Sequence, residues 1–200
     1  MTDDNVLDFI FPHDGYYEVI LGTNGVRLNL SPIGIIREGQ ELKSRIYKDT
    51  LTFQNIMKNN NCSINITLDP FQFYYGFTNN INKLRFRLME EVPVLENSLV
   101  ILSELTPISR DQNPIIFKYN RLHVVSDAPV HQALSRGDFL LVDLLVHMSR
   151  LHIYSQDQLK QYLPVIEYEI KTIKRLSPNL SGIIQELIGI LEDKGYKISL

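Results

Sequence analysis

Near residue 135 the spacing of apolar residues along this 200-residue chain changes from one period to another. Upstream, short β-rich runs alternate with turn signals; downstream, apolar residues recur at the three-to-four-residue spacing of an amphipathic helix. This change constrains the fold more than any other feature. It implies a mainly β domain over residues 1–135, followed by a C-terminal helical region over residues 136–200 that packs on the barrel or on a partner subunit.

Runs at Tyr16 to Thr23, Val26 to Ile36 and Leu42 to Tyr47 are separated by Asn24-Gly25 and Glu38-Gly39. Asn-Gly between apolar runs signals a type I′ hairpin, because both residues tolerate a positive φ. Three antiparallel strands are expected there. Further strands are expected at Cys62 to Leu68, Leu84 to Met89, Leu99 to Leu105 and Ile115 to Val125, giving a meander or barrel. One inserted helix is expected from Asp49 to Asn59, capped by Asp49 or Thr50.

Beyond Arg136 three helices are punctuated in turn. The first runs from Asp138 to Leu151 and is apolar over much of its circumference, which implies deep burial or an oligomer interface. The second opens on the capping box Ser155-Gln156-Asp157-Gln158, and Pro164 should kink or split it. The third has Ser177 as cap and Pro178 at its first position, with Gly195 as terminator.

Composition narrows the function. The chain carries 20 basic and 23 acidic residues for a net charge of -3, which argues against a dedicated nucleic-acid binder. Apolar stretches such as Phe139 to Val142 are far shorter than the roughly 18 residues a membrane span needs. No membrane partner is expected. The acidic opening MTDDNVLDFIFPHDG is not a secretory signal, and the single Cys62 excludes an internal disulfide, so a cytoplasmic location is expected.

Two neighbouring segments carry the chemistry. Arg45-Ile46-Tyr47-Lys48-Asp49-Thr50-Leu51-Thr52 places two cations and two hydroxyls at a strand-to-helix junction, which suits an anion such as a phosphate monoester. The same residues also read as a solvated charged turn capped by Thr50. Asp49 counts against an anion unless its carboxylate turns away. Upstream, Asn29-Leu30-Ser31-Pro32-Ile33-Gly34 puts proline and glycine inside a strand. That pattern fits either a flat ligand against the backbone or a barrel-corner bulge without one.

Taken together, Asn29-x-Ser31-Pro32-x-Gly34, Arg45-x-Tyr47-Lys48-x-Thr50-x-Thr52-Phe53-x-Asn55 and Asn65-Ile66-Thr67 before Asp69-Pro70 resemble the FMN-binding split barrels. The nearest branch is the mostly archaeal one related to flavin reductases, described as a domain of unknown function. The resemblance covers residues 14 to 155 and departs from the family pattern at Asp49, where a small residue is expected. It implies an antiparallel split β-barrel of the FMN-binding type plus a C-terminal helical segment, with FMN as cofactor. It further implies Arg45, Lys48, Thr50 and Thr52 as phosphate ligands, supported by Tyr47 and Asn55. Ser31, Pro32, Ile33 and Gly34 would face or edge the flavin, with Asn29 beside them, and Asn65 and Thr67 would complete the pocket. The resemblance also implies a homodimer, and a flavin-dependent oxidoreductase or flavin-reductase-like protein of unspecified substrate, with NAD(P)H or another small redox molecule as partner. A non-catalytic module holding FMN or another phosphorylated ligand stays open beside it, as does a pterin- or deazaflavin-linked reductase.

Other residues are less telling. None of the five histidines forms an i, i+4 pair with a glutamate, so no metal site is expected. His147 sits among apolar residues and reads as a core or interface histidine, and Cys62 as a buried small apolar residue. No side chain stands out as a catalytic acid or base.

Overall fold

The computed structural model describes residues 3–108, 111–125, 129 and 131–196. It divides into two compact units, Met1–Pro12 with Tyr17–Leu134, and His13–Tyr16 with Ser135–Leu200.

In the first unit, helix α1 (Asp3–Ile10) precedes strands β1 (Gly15–Thr23), β2 (Asn29–Glu38) and β3 (Glu41–Ile46). Helix α2 (Leu51–Ile56), strand β4 (Asn61–Ile66) and helix α3 (Pro70–Phe77) follow, then β5 (Phe86–Met89), β6 (Val92–Leu95), β7 (Leu99–Pro107) and β8 (Ile115–Val124). The sheet runs β2-β3-β8-β7-β4-β1 and β1 also pairs with β2, so six strands close into a barrel; the two-residue β9 (Leu134–Ser135) lies beyond β1. Among the described residues, closure leaves none of these six strands as a free barrel edge. The antiparallel barrel expected from the sequence is present.

Strand β8 shows why the pattern folds this way. Ile115, Phe117 and Tyr119 are buried while the alternate positions are not, as a period of two requires. Strands β4 and β7 are buried almost throughout. Their outer faces are covered too: Val92 and Val94 of the β5–β6 hairpin pack against Val100 and Leu102. Inside the barrel the Tyr119 hydroxyl meets Ser44 Oγ at 2.8 Å, and Ser44 donates to the Gly34 carbonyl at 2.8 Å. Cys62 is buried, and that burial pushes its thiol well above the usual range, which leaves it inert as a nucleophile.

Three local expectations need correction. Asn24-Gly25 does not form a two-residue hairpin: neither residue has a positive φ, and β2 begins only at Asn29. Asn55 clamps this stretch instead. Its Oδ1 accepts from the Val26 amide at 2.8 Å and the Arg27 amide at 3.3 Å, and its Nδ2 donates to the Arg27 carbonyl at 2.8 Å and to Thr23 Oγ1 at 3.1 Å. Gly25 is needed for this approach, since a Cβ there would lie 2.5 Å from the Asn55 carbonyl oxygen. Second, α3 lies where no helix was expected, although Asp69 caps it by accepting from the Phe71 amide at 2.9 Å and Pro70 opens it. Third, the single strand expected over Leu84 to Met89 is one arm of a hairpin. Glu90 and Glu91 take φ of 46° and 66°, so a turn of the I′ kind is made without the Asn or Gly that would announce it.

The second unit holds α4 (Arg136–Arg150), α5 (Gln156–Leu176) and α6 (Ser181–Asp193). Leu144, Ile166, Ile170, Ile173, Ile184 and Leu191 form its core. The capping box of α5 is complete, with the Gln158 amide donating to Ser155 Oγ at 3.3 Å and the Ser155 amide to Gln158 Oε1 at 2.9 Å. Pro164 does not split α5, which runs unbroken past it because Leu159 on one side and Ile166 on the other are both anchored in the core. Ser177 and Pro178 open a single 3-10 turn rather than the α-helix itself, which starts at Ser181. Gly195, at φ 82°, ends α6: the Tyr196 amide donates to the Leu191 carbonyl and the Gly195 amide to Glu192, a Schellman pattern. Helix α4 is only partly buried, with Leu144 in the core and Phe139, Val142 and Leu145 exposed.

Candidate functional site

A cleft of about 500 Å³ opens on the outside of the barrel, between β2, the β3-to-α2 junction and the C-terminal end of α3. That size falls within the range of about 300–1,000 Å³ usual for small-molecule sites. Ser31, Pro32, Ile33 and Gly34 of β2 form one wall. All four are half-buried, and a Cβ at Gly34 would meet no atom within 4 Å, so the backbone there is open to a flat ligand. The facing wall is Gly76, Phe77 and Asn79. Gly76 brings α3 flush against β2, because a Cβ there would sit 3.0 Å from Pro32 Cδ and 3.1 Å from the Leu30 carbonyl oxygen. Phe77 is 81% exposed, an unusual position for a ring that size.

The polar end is built from β3 and the first turn of α2. Strand β3 alternates, so Leu42, Ser44 and Ile46 point inward and Arg45 points out. Lys43, on the same outer face, is spent on Glu38 and Glu41, each at 2.8 Å. Arg45 has no ion-pair or hydrogen-bond partner among the described residues and lines the cleft. Thr50 caps α2, accepting from the Phe53 amide at 3.2 Å while donating to the Tyr47 carbonyl at 2.7 Å. Asn29 Nδ2 donates to Thr52 Oγ1 at 3.0 Å and to Ser31 Oγ at 3.3 Å, and the two hydroxyl oxygens are 2.9 Å apart. This triangle fixes β2 to α2 and holds both hydroxyls at the cleft wall. Tyr47 also lines it.

Of the residues singled out in the sequence, Asn29, Ser31, Pro32, Ile33, Gly34, Arg45, Tyr47, Thr50 and Thr52 meet at this cleft. Lys48, Asn55, Asn65 and Thr67 do not line it. The Lys48 amide is held by Asn113 Oδ1 at 3.1 Å. Asn55 is the loop clamp described above. Asn65 donates to the Ile20 carbonyl at 3.0 Å and accepts from the Leu95 amide at 2.7 Å, so it fastens β6 to the barrel. Thr67 accepts from the Asp69 amide at 3.1 Å in the turn that leads into α3. Asp49 is exposed and off the cleft, the cap being Thr50. Gly76 and Phe77 belong to α3, and Asn79 follows its C-terminal end; Asp69-Pro70 is the helix-start signal that the sequence offers for this wall. No histidine, cysteine or carboxylate is among the lining residues. The cleft thus offers an open backbone wall for a planar ring and a cation for an anion.

The sequence matches the family model described as the N-terminal domain of a protein of unknown function, DUF447, over residues 17–128, and a second DUF447 model over residues 135–190. The chain belongs to the DUF447 family. No protein among the curated ones matches it in sequence. Among solved structures, an FMN-bound DUF447 protein from Methanosarcina mazei is 20% identical to this DUF447 chain, with a TM-score of 0.53 over 91% of this chain and 97% of that one. A flavoredoxin from Methanosarcina acetivorans is 17% identical over 56% of this chain and 69% of that one, with a TM-score of 0.47. An FMN-binding protein from Thermus thermophilus with bound p-hydroxybenzaldehyde is 13% identical over 60% and 75%, also with a TM-score of 0.47. The likeness to the M. mazei protein shows that the DUF447 chain shares its fold.

Proposed function

We propose that this DUF447 chain binds FMN in the cleft and acts as a flavin-dependent oxidoreductase or flavin-reductase-like protein of unspecified substrate. Arg45 carries this reading: an exposed guanidinium without a protein partner stands at the polar end of a cleft whose other wall is the open Ser31–Gly34 backbone. FMN has the two matching halves, a planar ring and a phosphate. Arg45 would grip two phosphate oxygens, with the Thr52 hydroxyl beside it and Thr50 shaping the junction as the α2 cap, and Ser31, Pro32, Ile33 and Gly34 would lie along the ring. When bound, FMN supplies hydride and electron transfer. The chain would contribute position and shelter between the β2 and α3 walls, with Phe77 near enough to cover or stack on the ring. The M. mazei relative, which holds FMN, supports the assignment.

No histidine or carboxylate is found among the described lining residues, where Tyr47 is the one side chain suited to proton transfer, and this favours a second reading, a module that holds FMN without turning it over. Purified, FMN-loaded protein separates the two. Steady oxidation of NADH or NADPH faster than free FMN allows supports the enzyme, and a yellow but inactive protein supports the module. Competition by a pterin or a deazaflavin for the same cleft would move the assignment to those cofactors. A homodimer is part of the proposal, supported by the stripe Phe139, Val142 and Val146 left exposed along α4, with Leu145 beside it. Light scattering on the full chain should give twice the monomer mass. A cytoplasmic location is likewise proposed, supported by the lone buried Cys62, which needs no oxidising compartment. No helix among the described residues is long and apolar enough to cross a membrane.

A further inference from the structure

Helices α4 and α5 bring three potential metal ligands together in the second unit. Asp143 and His147 are four residues apart on α4 and therefore share a face, and Glu169 comes from α5. One ligand atom from each lies within 4.8 Å of the others. Glu169 is 2% exposed among the isoleucines of α5, and its Oε2 has no hydrogen-bond partner. A buried carboxylate oxygen with no donor is costly and calls for a counter-charge. Its other oxygen, Oε1, lies 3.9 Å from His147 Nε2.

The opposite side of the imidazole is already occupied. His147 Nδ1 is 3.3 Å from the Tyr154 hydroxyl, and the ring packs on Tyr162 at 5.2 Å, with Tyr154 stacked on Tyr162 at 4.9 Å. In the tautomer that carries its proton on Nδ1, toward Tyr154, the Nε2 lone pair faces a carboxylate oxygen. Two acceptors then confront each other with an unpartnered third close by, an arrangement that a cation between them resolves. Orientation of a ligating histidine by a hydrogen bond at its other nitrogen is the usual outer support of a metal site.

We propose that Asp143, His147 and Glu169 form a site for one divalent transition-metal ion of the zinc type. One imidazole nitrogen and two carboxylate oxygens suit zinc or cobalt(II) better than calcium or magnesium, which prefer all-oxygen sets. Two carboxylates balance the ion's charge. Ligand atoms about 2.0–2.1 Å from a tetrahedral ion stand about 3.4 Å apart, so separations of up to 4.8 Å need close by at most about 1.4 Å. Asp143 is exposed and His147 half-buried, which leaves a path for the ion and a solvent side for a fourth ligand. The ion would pin α4 to α5. The pairing escapes a search for His with Glu at i, i+4, because the helix supplies Asp143 instead and Glu169 arrives from another helix.

The test is cobalt(II) titration of the tag-free full chain after chelator treatment and dialysis, followed by visible absorption and thermal unfolding. The expected result is one cobalt per chain with ligand-field bands, displacement by zinc, and a higher melting temperature with either ion. Glu169→Gln, which keeps the shape and removes the buried charge, should fold at least as stably without metal yet bind about 100-fold more weakly and lose the shift. Asp143→Asn should weaken binding as well. A folded wild-type chain that takes up no cobalt, as an Asp143–Glu169 pair sharing a proton would, overturns the proposal. So does uptake that Glu169→Gln leaves intact. FMN binding is read separately and bears on neither outcome.

Discussion

Asn29 and Asn55 carry the same amide, yet only Asn29 lines the cleft. Asn29 spends its Nδ2 on the Ser31 and Thr52 hydroxyls and so orders the polar wall. Asn55 is fully buried and spends every group on the 23–27 stretch. Asn55→Ala should therefore cost about 2–4 kcal/mol of stability, by leaving the Val26 amide and the Arg27 carbonyl without partners, and chemical denaturation would measure it. In sequence the two asparagines look alike, because an amide that both donates and accepts serves a ligand or a backbone equally well. Asn65 reads the same way for the same reason. Its partners Ile20 and Leu95 lie on β1 and on a strand the sequence hid, so nothing local distinguishes its scaffold role. That Arg45, Thr50 and Thr52 come together at one junction was legible because a cap and a cation at a helix start have a spacing of their own.

Between elements, side-chain ties and close approaches decide which strands stay together. Glu41 on β3 pairs with Lys118 on β8 at 2.6 Å and with Lys43 at 2.8 Å, and these partners, Lys118 first, hold its carboxyl down to about 2. The sign follows from a pKa below the ordinary 4.5: the contribution to stability is present above that value and is lost as pH falls through about 2. Glu41→Gln should flatten the acid limb of an unfolding titration between those limits and leave stability near neutrality little changed, since the pair is exposed. Gly22 is a stricter constraint. A Cβ there would fall 2.1 Å from the Pro93 carbonyl oxygen and 2.2 Å from Ser63 Oγ, so the β5–β6 hairpin rests directly on β1. Gly22→Ala should displace the hairpin and cost about 3 kcal/mol, visible as a drop in denaturation midpoint. That hairpin was half hidden in the sequence because Glu90-Glu91 adopts its turn under pressure from packing, not from turn chemistry. Helix α3 was hidden for a different reason: its aromatic run, Phe71 to Phe77, has no polar face to give a helical period.

Across the full chain, the change of period near residue 135 marked the passage from barrel strands to helices, because closed sheets and helix bundles impose different burial rhythms on the same apolar residues. The barrel was readable from alternation in strands such as β8, and the helices from caps such as Ser155 with Gln158. What alternation cannot express is a cleft between non-adjacent elements, so the α3 wall with Phe77 came only with the fold. The proposed function requires that cleft to hold FMN by its phosphate at Arg45. Fluorescence titration of FMN with the full chain tests it most directly. Saturable quenching at one FMN per chain is expected, with about 10- to 100-fold weaker binding in Arg45→Ala and the fold intact by circular dichroism. A folded chain that leaves FMN emission unchanged, or an Arg45→Ala variant that binds as tightly as wild type, would contradict it.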